Sequence, residues 1–198
     1  MRTAKKYSAP TWSEAHEIML KVAEKIRHDG FEPDIIVGLA RGGLVPARVL
    51  SDLLEQSNLS TIRTECYVGT DKSKSKPVLS EQLSVRVEGQ SVLLVDDVAD
   101  TGRSLKLAKK HIAESGAREI RIVALFKKPW SILRPDYSAA ETSQWVVFPW
   151  DMKETVRSEF ENRGNMTDAE LSEKLKSDGL PKKLVDRFVK EITGEKTC

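Results

Sequence analysis

Apolar positions along the chain alternate between helical stripes and short unbroken runs. Ala15, Ile18, Met19, Val22, Ala23 and Ile26 recur at helical spacing, the signature of a helix with one buried face. Thr11-Trp12-Ser13-Glu14 precedes them and predicts a capping box, with Thr11 as N-cap and Glu14 reaching back to it. Gly30 supplies the stop. Residues 34–39 are an apolar run of strand length that ends in Ala-Arg-Gly-Gly, a buried strand feeding a tight loop. Residues 44–54 read as a helix with Ala47, Leu50 and Leu54 on one face, and 61–68 as a strand. The stretch 69–80 is rich in Lys and Ser, contains Pro77, and predicts an exposed, mobile loop.

A second strand–loop–helix unit follows: strand 91–95, loop 96–102 and helix 103–115, with Gly116 as stop. Residues 120–126 and 144–148 read as further strands. Strands alternating with helices at this spacing predict an α/β fold, a mainly parallel twisted sheet flanked by helices. In such sheets ligands lie outside the carboxyl ends of the strands, where both unusual loops, 40–43 and 96–104, fall. Thr167-Asp168-Ala169-Glu170 is a second capping box, opening a helix toward Lys176. Pro181 then precedes Leu184, Val185, Phe188, Val189 and Ile192, so 166–192 reads as a helical hairpin. The layout expected is a main domain over 1–160 and a C-terminal helical extension over 161–198.

Composition narrows the classes. With 198 residues, 39% hydrophobic and 31% charged, the chain has apolar material for one main core. Its 32 basic and 30 acidic residues leave a net charge of +2, which argues against a nucleic-acid coat or a polybasic membrane binder. No apolar run approaches the roughly 18–20 residues that span a bilayer, and residues 1–6 lead into no apolar signal segment. Cys66 and Cys198 are too few and too isolated for a disulfide scaffold or a zinc site. A soluble, cytoplasmic protein is expected, without membrane or nucleic-acid partners.

The most informative segment is Val92-Leu93-Leu94-Val95-Asp96-Asp97-Val98-Ala99-Asp100-Thr101-Gly102-Arg103-Ser104. A buried strand ends in two adjacent carboxylates, which repel each other and are costly to desolvate without hydroxyl or cation partners. Residues 99–104 offer backbone N–H groups, two hydroxyls and a helix N-terminus, a set suited to phosphate. A diol partner beside a phosphate partner suggests a ribose 5-phosphate. A solvated turn with Thr101 as a simple N-cap is the competing reading, and such caps rarely need three aspartates within five residues. Asp100-Thr101-Gly102 also occurs in aspartic proteases, but those are all-β proteins, whereas here it opens a helix.

This segment resembles the phosphoribosyl-pyrophosphate (PRPP) signature of the type I phosphoribosyltransferases. Gly38-Leu39-Ala40-Arg41-Gly42-Gly43-Leu44-Val45-Pro46-Ala47 looks like the pyrophosphate loop of the bacterial xanthine–guanine members. Phe126-Lys127-Lys128-Pro129 and Trp145-Val146-Val147-Phe148-Pro149-Trp150-Asp151 resemble their base-binding hood. The archaeal 6-oxopurine enzymes are closer still, sharing Lys-Pro-Trp-Ser and a Trp-(apolar)₂-Phe-Pro-Trp-Asp segment. The likeness covers about residues 8 to 160, with a small hood over about 127–151 plus the N-terminal segment.

The resemblance implies a purine-salvage enzyme that transfers 5-phosphoribosyl from Mg-PRPP to guanine, hypoxanthine or xanthine, giving the nucleoside 5′-monophosphate and pyrophosphate. It implies that Asp96 and Asp97 hold the ribose hydroxyls, and that Ala99, Asp100, Thr101, Gly102, Arg103 and Ser104 wrap the 5′-phosphate. Asp100 takes the position of the family's general base near purine N7. Ala40, Arg41 and Gly42 would bind pyrophosphate, while Lys128 donates to the purine 6-oxygen, Trp145 stacks on the ring and the backbone at Val146 reads its edge. Mg2+ is the implied cofactor, with Asp151 a candidate ligand through the substrate; a homodimer is the family default. Lys127, beside Lys128, is its confounder. The acidic residue that the bacterial xanthine–guanine members have two places after the stacking Trp is here Val147, which leaves the choice among the 6-oxopurines open. The rivals are a same-fold transferase for adenine or a pyrimidine, and a PRPP-sensing regulator that binds nucleic acid.

Overall fold

The computed structural model describes residues 6–67 and 76–194. Its elements in chain order are β1 (Tyr7–Ser8), α1 (Trp12–His28), β2 (Ile35–Ala40), α2 (Leu44–Leu53), β3 (Leu59–Tyr67), β4 (Lys76–Glu81), β5 (Ser91–Ala99), α3 (Arg103–Glu114), β6 (Glu119–Lys127), β7 (Ala140–Glu141), β8 (Trp145–Val146), α4 (Met152–Glu161), α5 (Asp168–Ser177) and α6 (Lys182–Gly194). They form two compact units, one of residues 16–143 and one that joins the segment up to Ala15 to everything from Gln144 onward.

The larger unit is built on a six-stranded sheet in the order β4-β3-β2-β5-β6-β7, parallel throughout except for antiparallel β3–β4. Ile35, Val37 and Leu39 of β2 and Val92 and Leu94 of β5 point to one face, where they pack with Leu105, Ala108 and Ile112 of α3. On the opposite face Gly38 of β2 comes so near α2 that a Cβ there would lie 3.0 Å from that of Ala47. Both faces are therefore covered, which is why β2 and residues 92–95 of β5 are continuously apolar rather than alternating. Burying Leu105 and Ile112 stabilises the fold by about 1.5–3 kcal/mol each.

From β2 the chain crosses over α2 to β3 on one side, and from β5 over α3 to β6 on the other. The strand order thus reverses between β2 and β5, which pair directly from Ile35↔Val92 to Gly38↔Val95. A crevice opens outside the carboxyl ends of two strands that diverge in this way.

Three strand expectations change. The strand expected over 91–95 continues to Ala99, because Val98 and Ala99 pair with Phe126 and Lys127 of β6; the acidic pair therefore belongs to a strand, not to a loop. Of the loop expected over 69–80, residues 76–80 form β4 against β3, where Leu79 packs against the core and its neighbour Val78 is exposed; residues 68–75 lie outside the described residues. The strand expected over 144–148 shortens to Trp145–Val146, and it pairs with β1 in a separate two-stranded sheet.

In the smaller unit, β1 sets Tyr7 opposite Trp145 and Ser8 opposite Val146. Tyr7 is buried and its hydroxyl donates to Glu159 of α4 at 2.5 Å. Tyr7, Val147, Val156, Phe160, Leu171, Leu175, Val185 and Val189 share one core. The helical tail thus packs with 145–160 as a single body. Both capping boxes are present: Glu14 accepts from the Thr11 backbone at 2.7 Å, and Thr167 and Glu170 bond reciprocally.

Candidate active site

The loops after β2 and β5 meet at the crevice. Gly43 is wedged between these strands: a Cβ there would collide with the carbonyl oxygens of Val95 and Leu39. A Cβ at Gly42 would run into the carboxylate of Asp97. Only glycine lets the loop lie this close to the acidic strand end. The Ala40–Arg41 peptide is cis, and Arg41 is exposed. Gly42 is therefore brought beside Asp97 by close approach of its backbone, with the cationic Arg41 one residue before it in the chain.

Each acidic side chain is fixed locally. Asp96 accepts from the Asp97 N–H at 3.0 Å and Asp97 from the Val98 N–H at 2.7 Å, which turns the two half-buried carboxylates along the strand end. Beyond them Gly102 adopts a left-handed conformation (φ 75°) as N-cap of α3, with no side-chain cap. The α3 N-terminus thus keeps backbone N–H groups directed outward, where an anion is favoured. Thr101, expected as the competing N-cap, stands one residue earlier, its hydroxyl accepting from the Arg103 N–H at 3.4 Å. Pro77, Asp96 and residues 98–105 line a cavity of about 270 Å³.

The segment after β6 is zipped onto this loop. Lys128 N–H donates to Ala99 at 3.0 Å and Ile132 N–H to Thr101 at 3.1 Å. A Cβ at Gly102 would meet Ser131 and the Leu133 backbone within 2.8 Å. Of the neighbouring lysines, Lys127 pairs with Glu141 at 3.4 Å. Lys128 is only 4% exposed; burial pushes its ammonium below the ordinary lysine range, and the nearby Asp100 opposes that shift. The structure thus puts Lys128, not Lys127, beside Asp100. One residue of this site goes unread in the sequence: Trp130, whose indole N–H donates to Asp100 Oδ1 at 2.9 Å. Its signal was the Lys-Pro-Trp-Ser run, which carries no role for the tryptophan by itself.

Trp145, Val146 and Asp151 lie in the smaller unit. Trp145 is 57% exposed, so it is not a core aromatic, while the buried Val146 and Val147 anchor its strand. Val147, the second residue after Trp145, is fully buried in the core of this unit. Asp151 occupies the N-cap of α4 without making a side-chain cap. Phe148 stacks on Trp150 with ring centroids 4.5 Å apart.

Asp96 and Asp97 present hard carboxylate oxygens of the kind magnesium takes. Among the described residues no group of three or more His, Cys, Asp or Glu side chains forms a metal cage. This donor set fits a magnesium ion that draws most of its ligands from phosphate oxygens and water. Among the described residues no helix is long and apolar enough to cross a membrane.

A family model described as the phosphoribosyl transferase domain matches residues 12–156. The xanthine-guanine phosphoribosyltransferase of Nitratidesulfovibrio vulgaris (strain Hildenborough) is 31% identical over 160 residues, covering 76% of this chain and 90% of that protein. Among solved structures, the purine phosphoribosyltransferase of Pyrococcus horikoshii is 37% identical, with a TM-score of 0.67 over 73% of this chain and 93% of its own. The Helicobacter pylori xanthine-guanine-hypoxanthine phosphoribosyltransferase, 18% identical, shares the fold with a TM-score of 0.65, covering 77% of this chain and 99% of that one.

Proposed function

The chain belongs to the phosphoribosyl transferase domain family, and from that premise we propose that it is a purine-salvage enzyme, transferring 5-phosphoribosyl from Mg-PRPP to a 6-oxopurine. The observation that carries the reading is the meeting of two loops at the strand-order reversal: Arg41–Gly42 after β2, packed against Asp97, and the open α3 N-terminus after β5.

In this reading the cavity over residues 98–105 takes the 5′-phosphate on the backbone of Ala99 to Ser104. Asp96 and Asp97 accept from the ribose hydroxyls. Ala40, Arg41 and Gly42 hold the pyrophosphate. Magnesium, when bound with the substrate, offsets the charge of the departing pyrophosphate, with Asp151 a candidate ligand through it. As the ribose C1–pyrophosphate bond breaks and C1 bonds to purine N9, the ring nitrogen N7 loses its proton to Asp100, whose negative charge also stabilises the cationic ribose. Lys128 donates to the 6-oxygen; adenine would set an amino donor against it, which disfavours that base. Trp145 stacks on the base and the Val146 backbone reads its edge. The reading extends to a homodimer working in the cytoplasm.

The test is PRPP-dependent pyrophosphate release with hypoxanthine, guanine, xanthine and adenine in parallel, repeated with Asp100→Asn. Turnover with at least one 6-oxopurine, reduced about 10²–10⁴-fold in the variant, supports the reading. Turnover with adenine alone removes the role of Lys128. Tight PRPP binding without turnover on any base overturns the enzyme.

A further inference from the structure

Trp130 is 54% exposed, so burial does not explain a tryptophan there. Two polar contacts converge on it. Its indole N–H donates to Asp100 Oδ1 at 2.9 Å, and the Lys128 ammonium lies over its ring, 5.7 Å from the centroid, within the range of a cation–π contact. The backbone on both sides of it is tied down: Lys128 N–H to Ala99, Ser131 N–H to Lys128 at 3.1 Å and Ile132 N–H to Thr101. One rigid ring thus touches a carboxylate through its edge and an ammonium through its face.

We propose that Trp130 is a positioning residue that sets the spacing and rotation of the Asp100 carboxylate and the Lys128 ammonium, so that the pair matches the N7 and O6 edge of a 6-oxopurine. The inference rests on the reading of the site given above. N7 and O6 lie side by side on one purine edge, so recognition there needs an acceptor for the N7 proton and a donor for O6 at a fixed separation. The indole bond fixes the rotation of the carboxylate about its Cβ–Cγ bond. The ring face restrains the ammonium on the same side. Side-chain loss at position 130 therefore acts on the chemical step and on base choice, while the phosphate and pyrophosphate loops keep their contacts.

The experiment compares wild type, Trp130→Phe and Trp130→Ala in steady-state transfer with hypoxanthine and adenine. It also follows the indole ¹H–¹⁵N resonance of Trp130 in wild type and in Asp100→Ala. Trp130→Phe keeps a ring face and loses the N–H. It should lower kcat about tenfold, the size of one hydrogen bond to a charged group, with the KM for PRPP within about twofold. Trp130→Ala should in addition narrow the preference for hypoxanthine over adenine. The indole resonance should shift in Asp100→Ala. Wild-type kcat in Trp130→Phe, or an indole resonance indifferent to Asp100→Ala, overturns the proposal and leaves the transferase reading intact. Failure of the wild type to use any purine overturns both.

Discussion

The Asp97 carboxylate occupies the space that a side chain at position 42 would need. The acidic end of β5 and the loop after β2 are therefore fitted to each other, and neither can be altered in isolation. The same intimacy is deeper at Gly43, where backbone rather than a side chain stands in the way.

Gly42→Ala should accordingly fold but bind PRPP at least about tenfold more weakly, with a stability loss of roughly 1–3 kcal/mol from overpacking. The stability loss should shrink in an Asp97→Ala background, since the collision partner is gone. Calorimetric titration of PRPP and urea denaturation of the four-protein cycle check this. Gly43→Ala, which meets immovable backbone, should fail to accumulate as folded protein.

Lys128 loses its proton more readily than an ordinary lysine, because burial disfavours its charge more than Asp100 restores it. As pH rises, the ammonium proposed to donate to the 6-oxygen is lost below 10.5. The KM for hypoxanthine should climb on the alkaline side at a pH under that value. Lys128→Arg, which stays charged, should remove that alkaline limb even where its absolute activity is lower. KM profiles of both proteins against pH decide it.

Glu159 is pushed upward by burial, but hydrogen bonds from the Tyr7 hydroxyl and Lys6 outweigh this and hold it below its ordinary 4.5. A carboxylate with a depressed folded value contributes stability that is complete above 4.5 and is lost as pH falls through the folded value. Tyr7→Phe should destabilise by about 1–2 kcal/mol at neutral pH. The gap from wild type should close on acidification below that range, as seen in urea midpoints taken across pH.

The two capping boxes offer a plain test of local structure. Thr11→Ala and Thr167→Ala should each cost about 0.5–2 kcal/mol, and the corresponding Ser variants should recover most of it. Thermal unfolding of the four variants measures both ends.

Local chemistry was legible in the sequence wherever it is written within a few neighbouring residues. Thr11 and Glu14, like Thr167 and Glu170, specify a helix start within one turn, and both boxes form as read. The parallel sheet followed from unbroken apolar runs such as 92–95. What escaped depends on partners remote in the chain. Val98 and Ala99 are strand only because β6 offers them pairs, and Trp145–Val146 leaves the main sheet because the N-terminal Tyr7 and Ser8 claim it. Two-residue strands carry no periodicity to read. Trp130 is invisible for the same reason: its role arises from lying 30 residues beyond Asp100 in sequence and one hydrogen bond away in space.

The strand-order reversal between β2 and β5 also sets the order in which the molecule comes apart. These two strands are the innermost pair, bordered by β3 on one side and β6 on the other, so their amides exchange with solvent only when the whole sheet opens. The loops proposed to hold phosphate and pyrophosphate leave directly from the ends of that pair. Fluctuations that fray the β7 edge leave these loop ends in place, and they should persist until the last cooperative unfolding event.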